Sequence, residues 1–212
     1  LTPGIAADAI RDLLRAAAPG SVTVVGLGPV TNLALAFATE PALTSRVAEI
    51  VLMSGAWAEG NITPGAEFNA WNDPDALAIL ARLGVKLTLA TLDLTAQAFV
   101  TPALVEGMQA RPGGACWRAA RDILRALPPS RRMEFRGFPL HDPCAVAWLL
   151  APGLFTRRAA HLEVDCGPGP SRGRTVIDRW ARLGLEPNCG VLETLDAEGF
   201  FDLLGNRISA LP

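Results

Sequence analysis

The stretch VTVVGLGPVTNLALAFA at residues 22–38 sets the fold class, because a strand pattern in it passes through a Gly-Pro turn directly into a helical pattern. Residues 22–26 are short, β-branched and apolar without alternation, which is typical of a strand buried on both faces of a parallel sheet. Residues 32–38 have apolar side chains at helical spacing. Strand, short turn and helix in this order form the repeating unit of α/β proteins.

The same alternation continues on both sides of this stretch. An amphipathic helix is predicted at residues 5–17, strands at 50–53 and 85–92, and a helix between them at 73–83. Further helices are predicted at 102–109, 115–127, 143–150 and 200–208, and short strands at 160–165, 175–178 and 191–195. We therefore expect an α/β fold over residues 1–212 as a single domain. Its mostly parallel open sheet has helices on both faces in a Rossmann-like core, with small additional β elements near the C-terminus.

The composition excludes several classes of protein. Half of the residues are apolar, 19% are charged and the formal net charge is -2. No apolar run approaches the roughly 20 residues that span a bilayer, and no basic face is available for nucleic acid, so we expect neither a membrane nor a nucleic-acid partner. The four cysteines form no CxxC pair and have no histidine at zinc-site spacing, which predicts free thiols in a reducing, cytoplasmic protein.

The loop after the second predicted strand is rich in carboxylates and amides. An open α/β sheet binds ligands beyond the carboxyl ends of its strands, where this loop lies. Ala66, Phe68 and Ala70 alternate with Glu67 and Asn69, so we expect an extended backbone that turns both polar side chains to one side. With Asn61 and the thioether of Met53, these side chains suit the hydroxyls of a sugar that carries a flat apolar group. A polar surface loop is the alternative.

Two further segments allow two interpretations each. His141 and Asp142 precede a predicted helix, so Asp142 is either a helix cap, with His141 as a turn residue, or a hard oxygen ligand for a cation, with His141 as a proton donor. The other histidine, His161, lies in a strand-like segment and is predicted to be structural. The turn LGPVTN at residues 27–32 lacks the glycine spacing and the lysine of a phosphate loop. We expect Thr31 or Asn32 to cap its helix, although such a turn can also offer a backbone carbonyl to a metal.

Together these motifs resemble those of the inosine-uridine type nucleoside hydrolases. The similar segments are VVGLGPVTNLALAF at 24–37, IVLMSGAWAEGNITPGAEFNAWNDPDAL at 50–77, LDLT at 92–95, HDPCAVAW at 141–148 and RGRTVID at 172–178. The resemblance runs in order over essentially the whole chain and implies a nucleoside hydrolase-like fold. It also implies hydrolysis of the N-glycosidic bond of ribonucleosides to ribose and free base, in purine and pyrimidine salvage, by a cytoplasmic homodimer or homotetramer.

The resemblance also implies roles for particular residues. It places the substrate contacts on Met53, Asn61, Glu67, Phe68, Asn69 and His141. It implies a Ca²⁺ ion held by Asp142 and by the backbone carbonyl of Leu27, a position where relatives usually have Thr. His141 matches the position that protonates the leaving base. Glu67 and Asp142 would stabilise the cation that develops on the sugar, as carboxylates do in glycoside hydrolysis.

One family motif has no counterpart here. The aspartate cluster DxDPGxDD, which supplies two calcium ligands, the water-activating base and a ribose contact, is absent from residues 1–212, and Asp8 and Asp12 lie on an amphipathic helix that does not replace it. We therefore expect the chain to lack the N-terminal third of the family's domain. The alternatives are a catalytically inactive relative that binds ribose or nucleoside, and an assembly subunit whose open sheet edge pairs with another chain.

Overall fold

A computed structural model describes residues 4–108, 111–128 and 136–212 of the chain. The α-helices are α1 (Ala6–Ala16), α2 (Thr31–Thr39), α3 (Phe68–Asn72), α4 (Pro74–Ala81), α5 (Leu92–Thr95), α6 (Pro102–Gly107), α7 (Ala115–Ala126), α8 (Asp142–Leu150) and α9 (Ala197–Ser209). The strands are β1 (Val22–Gly26), β2 (Val47–Met53), β3 (Leu87–Ala90), β4 (Phe99–Val100), β5 (Phe138–Pro139), β6 (Phe155–Val164), β7 (Thr175–Asp178) and β8 (Cys189–Leu195). Short 3₁₀ helices cover Pro41–Arg46 and Pro152–Leu154.

A six-stranded sheet in the order β1-β2-β3-β8-β6-β7 forms the centre of the fold. The pairs β1 with β2, β2 with β3 and β3 with β8 are parallel, whereas β6 and β7 form an antiparallel pair. Helices α1, α2 and α4 alternate with the parallel strands along the chain. The expected α/β fold with a mostly parallel sheet and short β elements near the C-terminus is confirmed.

The register of the parallel strands brings their carboxyl ends to one edge of the sheet. Gly26 at the end of β1 pairs with Leu52, and Met53 at the end of β2 pairs with Ala90 at the end of β3. The segments that leave these three strands therefore start side by side. This is the edge at which open α/β sheets bind ligands.

The core of this sheet is built from fully buried aliphatic and aromatic side chains. Ile50 and Leu52 of β2 and Leu89 of β3 belong to one buried cluster with Phe37 of α2 and Leu77 of α4. Burying each of these side chains contributes about 1.5–3 kcal/mol to the free energy of folding. Helices α2 and α4 are therefore stabilised mainly by packing of their apolar residues on the sheet, and not by helix propensity.

The sequence prediction for β1 was correct in its bounds and wrong in its burial. Thr23 is exposed and the other four residues of β1 are only partly buried. The reason is that, among the described residues, β1 lies at the edge of this sheet and has β2 as its one neighbouring strand. By contrast β2, which lies between β1 and β3, is buried except at Ala48.

The third strand is shorter than predicted. The apolar pattern over residues 85–92 predicted one strand, but β3 covers only Leu87–Ala90 and the chain then enters the helical turn α5. The backbone N–H of Leu92 donates to the carbonyl of Gly55 at 2.9 Å. This bond to the β2–α3 loop takes the place of the next bond of the β ladder.

The chain divides into two compact units. The first contains residues 4–93 and 157–193, with most of the six-stranded sheet, and the second contains residues 94–156 and 194–212. The second unit holds α6 to α9 and an antiparallel pair, β4 with β5, which the sequence did not predict. The helix predicted at 102–109 ends at Gly107, and residue 109 lies outside the described residues. No helix of the described part is long and apolar enough to cross a membrane.

Candidate active site

A buried carboxylate, that of Glu67, lies at the carboxyl-end side of β2. Glu67 is 2% exposed and is the N-cap residue of α3. Oε1 accepts the N–H of Asn69 at 2.8 Å, and Oε2 accepts the N–H groups of Gly55 at 2.9 Å and Ala70 at 3.1 Å. Burial raises the pKa of Glu67, and these three backbone hydrogen bonds oppose that rise because they stabilise the charged form. The carboxylate is therefore fixed in one position by the backbone around it.

Two asparagines hold the same loop together. Asn61 Oδ1 accepts the N–H of Phe68 at 2.8 Å, and Asn69 Nδ2 donates to the carbonyl of Met53 at 2.9 Å. Asn69 Nδ2 also lies 3.7 Å from the sulfur of Met53. Within the first unit the structure thus connects five of the predicted substrate-binding residues through hydrogen bonds or sequence adjacency: Met53, Asn61, Glu67, Phe68 and Asn69.

The expected extended backbone through this segment is wrong beyond Glu67. Glu67 itself is extended, with φ -80° and ψ 147°, but α3 begins at Phe68. The physical reason is the cap: the Glu67 carboxylate accepts two of the first N–H groups of α3, which otherwise have no partner within a helix. Phe68, on the first position of that helix, is 44% exposed, so its ring is available at the surface.

Three residues that shape the loop were missed by the sequence analysis. The carboxylate of Asp93 accepts the N–H groups of Trp57 at 2.8 Å and Ala58 at 3.2 Å. The buried hydroxyl of Thr175 accepts the N–H of Ala56 at 2.9 Å and donates to its carbonyl at 2.7 Å. Gly55, in front of Ala56, has φ +79°. Asp93 and Thr175 lie far from this loop in the sequence, so no local sequence pattern could predict these contacts.

Gly55→Ala is expected to lower the free energy of unfolding by about 2–4 kcal/mol, because it adds strain at positive φ and a steric clash. A Cβ at Gly55 would lie 2.8 Å from Thr175 Oγ1. Gly84→Ala is the matched control, since Gly84 has φ +70° but open space around its Cβ position, and should cost only about 1 kcal/mol. Denaturant unfolding measures both. Equal losses in the two variants would show that the packing of Gly55 on Thr175 is unimportant.

Asn69→Ala is expected to raise KM for a ribonucleoside about 10-fold while kcat changes by less than about threefold, because a neutral amide binds ground state and transition state similarly. Asn72→Ala on the same helix is the control, since Asn72 is exposed. Steady-state kinetics, with the melting temperature of each variant, separate the effects. A fall in kcat equal to the fall in kcat/KM would contradict a binding role for Asn69.

The turn after β1 places Leu27 at the same sheet edge as Met53. Leu27 directly follows Gly26, which pairs with Leu52, and its side chain is 42% exposed. The expected cap by Thr31 or Asn32 is wrong: α2 begins at Thr31, and its N-cap position, Val30, makes no side-chain capping bond. The hydroxyl of Thr31 instead donates to Asp73, whose other oxygen caps α4.

The second unit contains His141 and Asp142. Helix α8 begins at Asp142 and its N-cap position is His141, with no side-chain capping bond, so the interpretation of Asp142 as a helix cap is wrong. Asp142 lies at the surface, and partial desolvation by the surrounding protein raises its pKa. His141 Nδ1 lies 2.6 Å from the hydroxyl oxygen of Thr95. The carboxylate is therefore available to a cation, and Nδ1 of the imidazole is held by Thr95.

The described residues offer oxygen donors to a metal but no compact cluster. Among residues 4–108, 111–128 and 136–212, no three His, Cys, Asp or Glu side chains group in a way that could hold a metal ion. The Asp142 carboxylate and the Leu27 carbonyl are hard oxygen donors of the kind that Ca²⁺ takes. They belong to different units, and Ca²⁺ takes about six to eight oxygens. These two residues can therefore supply only part of a calcium site.

His161 has the structural role that the sequence predicted. Its Nδ1 contacts the carbonyl of Glu186 at 2.7 Å and its Nε2 contacts the Glu163 carboxylate at 3.1 Å. The hydrogen bond to the Glu186 carbonyl and then the bond to Glu163 raise the pKa of His161. Both ring nitrogens are used within the first unit, at the β6–β7 side of the sheet.

Comparison with known proteins identifies the family. The sequence profile described as "Inosine-uridine preferring nucleoside hydrolase" matches residues 1–202, and the chain belongs to this family. The "Pyrimidine-specific ribonucleoside hydrolase RihA" of Shewanella woodyi is 40% identical over 189 residues, which cover 88% of this chain and 61% of that protein. The protein of the same name from Salmonella gallinarum is 37% identical over 207 residues, which cover 97% and 66%. The chain thus spans about three fifths to two thirds of the length of these relatives.

Solved structures agree with this assignment. The "Plant nucleoside hydrolase - PpNRh1 enzyme" superposes with a TM-score of 0.88 at 26% identity, covering 99% of this chain and 68% of that one. The "Purine-Preferring Ribonucleoside Hydrolase from Gardnerella vaginalis" superposes with a TM-score of 0.85 at 30% identity, covering 98% and 66%. The arrangement of strands and helices is therefore that of nucleoside hydrolases.

Proposed function

We propose that the protein carrying this chain hydrolyses the N-glycosidic bond of ribonucleosides to ribose and free base. The observation that carries the proposal is the buried Glu67 carboxylate, fixed by three backbone N–H groups beside Asn61 and Asn69. A buried carboxylate that cannot rotate away is suited to stabilise positive charge, because electrostatic interactions are stronger away from water. Membership of the nucleoside hydrolase family supports the assignment to a ribonucleoside.

The chemistry assigned to Glu67 follows from the charge of the transition state. As the bond between C1′ and the base nitrogen lengthens, its electron pair leaves with the base and the ribose becomes an oxocarbenium-like cation. The Glu67 carboxylate stabilises this cation. Asn61, Asn69 and Met53, with Phe68 beside them, bind and orient the ribose. This division predicts that Glu67 acts on turnover and that the asparagines act on binding.

His141 is assigned the protonation of the departing base. A nucleobase is a poor leaving group as an anion, and a proton delivered to its ring nitrogen makes departure easier, typically by about 10² to 10⁴ in rate. The interaction of its Nδ1 with Thr95 supports a fixed ring orientation.

Asp142 and the backbone carbonyl of Leu27 are assigned to a Ca²⁺ ion. Bound Ca²⁺ would orient a water molecule and make it more acidic. Asp142 fits this role because it is a surface carboxylate at the start of α8 that does not cap the helix. We also assign to Asp142 a negative charge that stabilises the cation developing on the ribose. The water-activating base is assigned to no residue of this chain.

The proposal also includes the preferred nucleobase, the cellular compartment and the oligomeric state of the enzyme. Two relatives named pyrimidine-specific support uridine and cytidine as the first substrates to assay, with inosine for comparison. The four free cysteines support a reducing, cytoplasmic compartment, in which the enzyme would serve purine and pyrimidine salvage. A homodimer or homotetramer is proposed from the resemblance, and the mass in solution measures it.

Removing the metal is expected to lower the rate of nucleoside cleavage about 100-fold or more, because the attacking water loses its activation. Initial rates with uridine are measured in a calcium chelator and after Ca²⁺ is restored, with Mg²⁺ as the matched control, since Mg²⁺ demands a stricter octahedral geometry. Asp142→Asn should raise the Ca²⁺ concentration required for half-maximal rate. An initial rate that does not change when the chelator is added would contradict the assignment of a metal.

A further inference from the structure

Thr95 is a buried polar residue that the proposed catalytic roles do not include. Its side chain is 0% exposed, and it is the last residue of the helical turn α5. Thr95 Oγ1 lies 2.6 Å from His141 Nδ1, although the two residues are 46 positions apart. Both belong to the second unit. The hydrogen bond therefore links the segment that follows β3 to the start of α8.

We propose that Thr95 is a positioning residue that orients the imidazole of His141 for protonation of the leaving base. This inference rests on the proposed function. A histidine ring has two nitrogens, and fixing one of them sets both the ring orientation and the position of the other. With Nδ1 on Thr95, Nε2 is the nitrogen that delivers the proton.

The hydroxyl group of Thr95 suits this task because its oxygen can accept a hydrogen bond from a ring N–H. In the protonated ring, Nδ1–H donates to Thr95 Oγ1. When the Nε2 proton moves to the base nitrogen, the C1′–N bond breaks and its electron pair leaves with the base. The ring is then neutral and keeps Nδ1–H, so the same hydrogen bond is present before and after transfer. Overall, water supplies the hydroxyl that bonds to C1′ and the proton that returns to the ring.

A purely structural role for this hydrogen bond makes a different prediction. If Thr95 only anchored the start of α8, its loss would affect every substrate alike through stability or geometry. If it positions the acid, its loss should matter in proportion to the substrate's need for a proton. Nitrophenyl ribosides hardly need one, because nitrophenolate is already a good leaving group, whereas natural nucleosides do.

The test uses Thr95→Val and Thr95→Ser in the protein carrying this chain, assayed with Ca²⁺ on uridine and on nitrophenyl riboside. Thr95→Val should lower kcat/KM for uridine about 10- to 100-fold and for nitrophenyl riboside less than about threefold, because only the proton transfer is impaired. Thr95→Ser, which keeps the hydroxyl, should stay within about threefold of wild type on both. Thr91→Val is the matched control, since the buried hydroxyl of Thr91 has no hydrogen-bond partner among the described residues.

A double variant completes the test. Adding Thr95→Val to His141→Ala should cost no further activity on uridine, because the two residues act through one proton transfer. Equal losses on both substrates from Thr95→Val alone, or additive losses in the double variant, would overturn the positioning role. If the wild-type protein released neither uracil from uridine nor nitrophenol from nitrophenyl riboside, the proposed function would be refuted, and the positioning role with it.

Discussion

Replacing Glu67 by Gln is expected to lower the turnover of nitrophenyl riboside about 100-fold or more, because it removes a negative charge that stabilises a developing cation. Nitrophenyl riboside isolates this effect, since its leaving group hardly needs a proton. The amide that the substitution introduces would also place an NH₂ group where a carboxylate oxygen now accepts backbone N–H groups from Gly55 or Asn69. The variant must therefore be shown to fold.

Asp73→Asn is the matched control for the structural part of that loss. Asp73 is the N-cap of α4, as Glu67 is of α3, and its carboxylate accepts the N–H of Ala76 at 3.0 Å. Loss of a capping interaction costs about 1 kcal/mol of stability. Asp73→Asn should therefore lower the melting temperature with little change in turnover.

A loss of turnover below about fivefold in a folded Glu67→Gln protein would remove Glu67 from the proposed active site, since the charge would then contribute little to catalysis.

His141→Ala is expected to lower kcat/KM for uridine by about 10² to 10⁴, and for nitrophenyl riboside by far less, because only the nucleobase requires a proton to leave. The measurement is the ratio of the two losses in steady-state kinetics. A role in catalysis predicts a large ratio, and a role in folding predicts a ratio near one.

The control for His141 is the other histidine of the chain. His161 uses both ring nitrogens in contacts to Glu186 and Glu163, and these contacts lie within the first unit. His161→Ala should lower stability and affect the two substrates alike. If His141→Ala gave the same uniform loss, its assignment as the leaving-group acid would be wrong and the residue would be structural.

Much of the fold could be predicted because its elements are set by local patterns. The bounds of β1 were predicted correctly, and α4 was predicted from Asp73, the residue that proves to cap it. Burial was less predictable. The apolar content of β1 suggested an inner strand, but a strand's place in the sheet depends on which segments pair with it, and β1 lies at the edge.

The candidate site was predictable in its residues and not in its geometry. The motif between Met53 and Asn69 pointed to a ribose-binding loop, yet the alternation at residues 66–70 suggested an extended chain where α3 begins. The backbone conformation there depends on the capping of α3 by Glu67, which cannot be inferred from a pattern of apolar residues.

The contacts made over long distances in sequence were also unpredictable. Thr175 holds the loop at Ala56, and Thr95 contacts His141, each through a hydroxyl group whose partner lies far away in the chain. Threonines of this kind carry no local pattern that distinguishes them from surface threonines. Their roles become visible only when the fold brings the partners within hydrogen-bond distance.

The central claim, that the protein carrying this chain hydrolyses ribonucleosides, is tested most directly by the products. Uridine is incubated with the protein and Ca²⁺, with and without inorganic phosphate, and uracil, ribose and ribose phosphate are quantified by chromatography. We predict uracil and free ribose in equal amounts, unaffected by phosphate, because water is the nucleophile. Binding of uridine without release of uracil, or formation of ribose phosphate in place of ribose, would contradict the claim.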